Sequence, residues 1–214
     1  MDENLKTNKN YVIAIGRQIG SGGREVGQRV AELLDIDYYD KQLLLEASKA
    51  SGIQTEMFEA IDERTPKFFP SLWPLNLAMA GSAFVGETPM SDENIYKAQC
   101  QVMKDLVERK SCVIVGRTAD YVLRDHCPVI SVFLHAPIDD RVKRIMERGD
   151  CDTREAAEKR ADKANKLRAE YYNFYTDKLW GHADSYDLSI DSSLLGIEGT
   201  AQFIVEYVKR RLSK

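Results

Sequence analysis

The residues with the clearest chemical potential lie in a glycine-rich stretch near the amino terminus. The stretch runs from Gly16 to Arg24 as Gly-Arg-Gln-Ile-Gly-Ser-Gly-Gly-Arg, and it follows a short apolar run, 11–15. Glycines let backbone N–H groups turn toward one anion because no Cβ atom obstructs them. A helical apolar pattern follows from Val26, and a helix N-terminus adds free N–H donors. This layout predicts a phosphate-binding loop between a strand and a helix; a purely structural turn is the alternative.

The loop matches only part of the P-loop pattern G-x-x-x-x-G-K-[ST]. In a full P-loop the Lys contacts the β- and γ-phosphates, and the Ser or Thr hydroxyl binds Mg²⁺. Here Gly23 occupies the Lys position, and Arg24 and Glu25 stand where the hydroxyl is expected. Arg17 and Arg24 flank the loop, and a guanidinium can bind phosphate through two hydrogen bonds. We therefore regard these two arginines as candidates to replace the missing Lys.

Composition and net charge limit the fold classes and the kinds of binding partner that suit the chain. The chain has 214 residues, with 43% hydrophobic and 30% charged side chains, which suits one α/β domain spanning 1–214. A net charge of −4 argues against general binding to nucleic acid or membranes. We find no apolar run long enough to span a bilayer, and 1–6 lacks the apolar core of a signal peptide. A cytoplasmic protein is the expectation.

Cysteine and histidine spacing indicates no protein-built metal site. The four cysteines show no C-x-x-C pairing, and the three histidines show no ligand spacing. The cysteines are interpreted as free thiols in a reducing compartment.

The order of apolar runs and helical patterns predicts the fold class. Strands alternating with helices indicate a three-layer α/β/α fold around a five-stranded parallel sheet. The predicted strands are 11–16, 35–40, 111–117, 128–135 and 186–191. The predicted helices are 22–34, 41–51, 91–110, 118–125, 138–148 and 197–212.

Three distinctive pieces should meet at one edge of this sheet, because ligands bind beyond the carboxyl ends of parallel strands. They are the glycine loop after the first strand, Asp40 after the second, and Gly116-Arg117 after the third. Asp40 has two interpretations, as part of a binding pocket or simply as the N-cap of the following helix.

Two further segments allow more than one interpretation. The segment 53–95 is rich in aromatic residues and is interrupted by Pro70 and Pro74. It suits a flap over a site, a patch buried in a homodimer, or ordinary core under a long connection. The charged stretch 153–178 is either a lid or a solvated helix face with i,i+4 ion pairs.

Taken together, the chain resembles the P-loop nucleoside monophosphate kinases, and most of all the cytidylate kinase-like family. The resemblance covers 11–51 and 111–213. It rests on the motifs Arg17-x-x-Gly-Ser-Gly-Gly-Arg-Glu-x-Gly27, Tyr38-Tyr-Asp40, Val113-Ile-Val-Gly-Arg117, Phe133-Leu-His-Ala-Pro137, Arg141-x-x-Arg144-x-x-x-Arg148, Arg168-Ala-Glu-Tyr-Tyr172, Trp180-Gly181 and Tyr186-Asp-Leu.

The resemblance implies transfer of the ATP γ-phosphoryl group, with Mg²⁺, to a small nucleotide, CMP or dCMP. It implies a fold of the P-loop kinase type, with a helical insertion at about 52–95 on the acceptor side and a helical lid at about 149–178. By the same resemblance, Arg117, Arg168 and Asp40 contact the acceptor, and Arg148 is the lid arginine nearest the reaction. The implied phosphate cradle consists of Gly16, Gly20, Ser21, Gly22 and Gly23.

Two departures from the family pattern keep other functions open. Thr118 and Asn165 stand where cytidylate kinases carry acidic residues that recognise the acceptor. A kinase of the same fold with a non-nucleotide acceptor is therefore one alternative. A nucleotide-binding sensor without turnover is another, because the P-loop Lys is absent.

Overall fold

The computed structural model describes residues 9–40, 43–44 and 92–213. Within them, five strands form a single parallel sheet in the order β2-β3-β1-β4-β5. The strands are β1 (Val12–Arg17), β2 (Asp37–Tyr39), β3 (Cys112–Val115), β4 (Val129–His135) and β5 (Leu188–Asp191). The predicted five-stranded parallel sheet is confirmed.

Helices cover both faces of this sheet. The helices are α1 (Gly23–Leu34), α2 (Asp92–Arg109), α3 (Ala119–Val122), α4 (Ile138–Glu147), α5 (Arg154–Tyr175) and α6 (Ser192–Leu212), with a short 3₁₀ turn at Ala183–Ser185. Helices α1 and α6 pack on one face, and α2 and α3 pack on the other. The three layers follow from the sequence because a parallel sheet must bury both of its faces.

Strand β1 shows how successive side chains serve the two cores. Ile13 and Ile15 belong to the core under α1 and α6, whereas Val12 and Ala14 belong to the core under α2. Since successive side chains of a strand point to opposite faces, both alternating sets must be apolar. This explains why the sequence of β1 is a continuous apolar run.

Several element boundaries differ from the predicted ones, and two of these differences affect the site. Helix α6 begins at Ser192, not at 197, because the Asp191 carboxylate accepts a hydrogen bond from the Ser193 N–H at 2.9 Å and caps the first turn. A break at Gly196, with φ of 65°, separates this turn from the long part of the helix. Strand β3 ends at Val115, so Gly116 and Arg117 lie in the turn that follows it.

The helix predicted at 41–51 and the insertion at about 52–95 fall largely outside the described residues, although Leu43 and Leu44 are helical. The proposed homodimer patch within that insertion stays a prediction. None of the helices in the described part of the chain is both long and apolar enough to span a membrane.

The interior strand β4 gives a direct test of this core. Leu134 is fully buried between the sheet and α6, so Leu134→Ala should lower the free energy of unfolding by about 2–5 kcal/mol. Leu194, which is 82% exposed, provides the matched control, and its replacement by Ala should change stability by less than about 0.5 kcal/mol. Urea unfolding followed by circular dichroism measures both. Equal losses in the two variants would contradict the described core.

Candidate active site

The glycine loop connects the end of β1 to the first residue of α1. Gly20 and Gly22 adopt φ of 78° and 76°, a left-handed conformation that favours glycine. Gly22 is the N-cap residue of α1 and provides no side-chain cap. The first N–H groups of a helix have no intrahelical partners, so this end of α1 offers them to an anion. The local geometry is that of a phosphate-binding loop.

Three side chains from distant parts of the chain hold the loop in place. The Ile19 N–H donates to Asn165 Oδ1 at 3.0 Å, and Arg144 Nη1 donates to the Gly20 carbonyl at 3.2 Å. The Ser192 hydroxyl donates to the Ser21 carbonyl at 2.6 Å. Because a trans peptide points its C=O and N–H in opposite directions, this last bond turns the following N–H away from α6.

These anchoring roles of Arg144, Asn165 and Ser192 are not apparent from the sequence. Asn165 stands out there only as a departure from a lid motif, and Ser192 only as the residue after a predicted strand. Their partners lie 124 to 171 positions away in the chain, and no local pattern connects residues so far apart.

Two residues of the loop region reverse the P-loop pattern, since a cation, Arg17, stands at a glycine position and a glycine, Gly23, stands at the Lys position. These two residues are in contact. When position 23 is the Lys of G-x-x-x-x-G-K, the first glycine of that pattern falls at position 17. A Cβ atom on Gly23 would lie 2.7 Å from both Cβ and Cγ of Arg17. No side chain fits at 23 while Arg17 is present. The aliphatic stem of Arg17 therefore takes the space that the first atoms of a P-loop Lys side chain would need, and its guanidinium lies further on, against Gly116.

The Arg17 side chain is partly buried among other cations. Burial, together with the positive charges of Arg168 and Arg117, lowers the pKa of Arg17 to about 9. Arg168 Nη1 in turn donates to the backbone carbonyl of Arg17 at 3.1 Å. Burial lowers the pKa of Arg168 to about 10, and the charges of Arg148 and Arg24 contribute. Such a group of like charges is best stabilised by a bound anion.

Arg24, the other candidate for the missing Lys, lies in a different environment. Its side chain is 64% exposed, and Nε is 2.9 Å from Asp40 Oδ2. Asp40 also accepts a hydrogen bond from the Leu43 N–H at 3.1 Å, so it caps the helical turn after β2. The N-cap interpretation of Asp40 is therefore confirmed, and the carboxylate additionally fixes Arg24. Among the two candidates, Arg17 is the one that reaches the interior of the site.

The turn after β3 brings Arg117 toward the loop at the cost of backbone strain. Arg117 and Thr118 have φ of 62° and 54°, and each non-glycine residue held in this region costs on the order of 1–3 kcal/mol. The guanidinium of Arg17 packs against Gly116, next to this turn. Burial raises the pKa of the Tyr171 hydroxyl from α5 to about 12, and the neighbouring charge of Arg117 opposes that rise. Strained turns of this kind occur at binding and catalytic sites.

The arginines of helix α4 and its C-terminal end have two kinds of surroundings: Arg141 supports the fold, and Arg148 lies near the candidate site. Arg141 is buried, donates Nε to the Ala136 carbonyl at 3.0 Å, and supports Gly20 through its backbone. Arg148 ends the helix, with Nη2 2.9 Å from Asp150 Oδ2, and its charge acts on Arg168. Gly16 lies within β1, where an added Cβ would press on Phe133. Its position gives Gly16 a packing role beneath the loop.

The loop lacks the hydroxyl side chain that binds Mg²⁺ in a full P-loop. Mg²⁺ prefers oxygen ligands, and Arg24 stands at the position that supplies a hydroxyl in a P-loop. The nearby carboxylate of Asp40 is engaged by Arg24. Within the described ranges, no group of three or more His, Cys, Asp or Glu side chains could hold a metal ion.

Comparison with known proteins places this geometry in a family. Residues 12–194 match the sequence profile of the cytidylate kinase-like family. The chain is 30% identical to a cytidylate kinase of Methanococcus aeolicus over 125 residues, which is 58% of this chain and 67% of that protein.

Solved structures show the same architecture. An uncharacterized protein from Eubacterium ventriosum superposes with a TM-score of 0.68 at 28% identity, covering 93% of this chain and 98% of that one. A shikimate kinase from Acinetobacter baumannii shares the fold at a TM-score of 0.51 and 16% identity, covering 95% of each chain. With its parallel sheet, glycine loop and family match over most of its length, this chain belongs to the cytidylate kinase-like family of P-loop kinases.

Proposed function

We propose that the protein transfers the γ-phosphoryl group of ATP to a nucleoside monophosphate, with CMP or dCMP as the acceptor. The loop amides at the start of α1 would hold the phosphates of ATP, as helix N-termini do for anions. Arg117 and Arg168 would hold the acceptor phosphate, and Arg148 would approach the transferred group from the lid. Phosphoryl transfer needs positioning and charge neutralisation, which arginines on rigid elements provide.

The observation that carries this proposal is the exchange between Arg17 and Gly23. The P-loop Lys is absent from its usual position, and the stem of Arg17 packs where the first atoms of a Lys side chain would lie, which carries the Arg17 guanidinium to Gly116. Burial lowers the pKa of Arg17, and the neighbouring charges of Arg168 and Arg117 act in the same direction. A site that concentrates cations beside free helix amides favours a polyphosphate ligand. Mg²⁺ would enter as part of the substrate Mg·ATP, held by phosphate oxygens and water.

A second function, nucleotide binding without turnover, is favoured by one observation. Arg24 replaces the hydroxyl that binds Mg²⁺ in a P-loop, and it is paired with Asp40. A protein of this kind would bind ATP and gain thermal stability from it by mass action, but it would release no ADP.

We expect ADP to form from Mg·ATP when CMP or dCMP is added, and to form far more slowly with other nucleoside monophosphates. A coupled ADP assay over a panel of nucleotides measures this. In parallel, the melting temperature with and without ATP reports binding. Thermal stabilisation by ATP without ADP under any acceptor would support the sensor function instead. The absence of both effects would contradict both functions.

The Arg17→Met variant tests whether the charge of Arg17 serves phosphoryl transfer and not the stability of the fold. We expect the phosphoryl-transfer rate to fall about a hundred- to a thousand-fold, as for the loss of one transition-state donor. The ligand-free protein should keep or raise its melting temperature, because the change removes a buried charge from a group of like charges. Arg24→Met is the matched comparison, and its rate should fall less because Arg24 is exposed. A larger loss in Arg24→Met would reverse the ranking of the two arginines.

Restoring the residues of a full P-loop, with Gly at 17 and Lys at 23, should recover part of the activity that Arg17→Met loses. In the double variant Arg17→Gly/Gly23→Lys, a Lys side chain has the space that Arg17 vacates, and we expect a rate at least about tenfold above that of Arg17→Met. The single variant Gly23→Lys keeps the clash with Arg17 and should lose about 1–3 kcal/mol of stability through overpacking. A stable, fully active Gly23→Lys protein would show that the two positions do not compete for one space.

A further inference from the structure

Helix α2 buries an amide whose hydrogen-bonding capacity is only half used. Gln99 is 4% exposed, and its Nε2 has no hydrogen-bond partner among the described residues. Its Oε1 accepts a hydrogen bond from the Tyr171 hydroxyl at 3.2 Å. Buried polar groups in proteins are nearly always paired, so an unpaired one calls for a missing partner. Tyr171 also contacts Arg117, so the amide lies one hydroxyl away from the proposed phosphate-binding arginine.

The chain of hydrogen bonds fixes which group Gln99 offers. The Tyr171 side chain has a single hydroxyl proton to donate. The hydroxyl proton of Tyr171 is then given to the Gln99 carbonyl oxygen. The Gln99 NH₂ group is left facing away from Tyr171, with two N–H donors for an acceptor atom.

The surroundings of this amide are flat and aromatic. Tyr96 from α2 stacks on Tyr175 from α5 with ring centroids 3.8 Å apart, and Tyr171 lies 4.9 Å from Tyr175. Rings of this type bind the faces of nucleobases through stacking.

The Thr118 hydroxyl, in contrast, cannot donate a hydrogen bond to a ligand, because its proton is already used. The hydroxyl donates to the Arg117 carbonyl at 2.6 Å, so the 3.0 Å bond between Tyr96 and Thr118 uses the proton of Tyr96. The acidic residue expected at 118 is thus replaced by a side chain engaged in the strained turn. Gln99 is the donor that remains available beside it.

We propose that Gln99 Nε2 donates a hydrogen bond to the ring carbonyl oxygen of a pyrimidine nucleotide whose phosphate is held by Arg117. This inference rests on the proposed function and names the base-recognising residue of the same site. An amide that presents only N–H groups selects an acceptor atom, which the pyrimidine carbonyl O2 provides. It gives no recognition of the exocyclic amino group, because that group is itself a donor.

The test compares Gln99→Leu and Gln99→Glu with the wild-type protein in steady-state kinetics. Glu keeps the oxygen that accepts from Tyr171 but loses the NH₂ donor, so both variants should raise KM for CMP about tenfold or more, with kcat and the KM for ATP nearly unchanged. Gln101→Leu, on the exposed side of the same helix, is the matched control and should leave KM for CMP unchanged. Circular dichroism verifies the fold of each variant.

Substrate analogues keep the test decisive even where a variant does not fold. With the wild-type protein, the monophosphate of 2-pyrimidinone riboside, which keeps O2 but lacks the amino group, should have a KM close to that of CMP. Ribose 5-phosphate, which lacks the base, should be a much poorer acceptor.

Two results would overturn the inference while leaving the proposed function intact. One is a KM for CMP that is unchanged in Gln99→Glu, and the other is ribose 5-phosphate turned over as well as CMP. If the wild-type protein forms no acceptor-dependent ADP at all, the proposed function itself fails.

Discussion

The contact between the Arg17 side chain and Gly23 is the constraint on which the rest of the site depends. A cation at the end of the central strand must pass the first residue of α1, and it can do so only where that residue has no Cβ. The cation then lies beside Arg168 and Arg117, which disfavour its charge. The fold must hold these like charges together, and helices α4, α5 and α6 do so through hydrogen bonds to the loop backbone.

The sheet order explains why the cations converge. Strand β1 lies between β3 and β4, so the glycine loop after β1 and the turn after β3 are neighbours. Arg117 lies in that turn in a left-handed conformation, which a non-glycine residue adopts at a cost. Surrounding contacts offset that cost, including the packing of Arg17 against Gly116. The arginines are thus positioned by backbone geometry as well as by their own side-chain contacts.

A site built from mutually repelling cations would stabilise an anionic ligand at the expense of the empty protein. Burial and like charges shift the pKa of Arg17 and Arg168 downward, which means that their charged forms are disfavoured in the absence of an anion. In the proposed function a bound phosphate would remove this penalty, so part of its affinity would come from relieving repulsion already present. The helix α5, whose Asn165 and Arg168 bond to the loop, is placed to respond to such binding.

Local sequence rules were sufficient for the architecture. Apolar runs of the right length, glycines at a strand-to-helix turn and the alternation of elements predict the five strands, the three layers and the phosphate loop. The ends of strands and helices were predicted less accurately, as at β3 and α6. They depend on single residues, such as the cap Asp191 and the residues of left-handed turns. The same rules named Arg17 and Arg24 together as replacements for the missing Lys, and they left both roles of Asp40 open.

Tertiary structure alone distinguished the environments of these candidates. Whether an arginine is buried among cations or exposed beside a carboxylate depends on residues far away in the chain, and a sequence pattern carries no such information. For the same reason the anchoring by Arg144, Asn165 and Ser192, and the unpaired amide of Gln99, could not be foreseen. Sequence fixes which side chains are available within a few residues, because helix and strand geometry is local. Burial and long-range hydrogen bonds arise only when the sheet brings distant segments together.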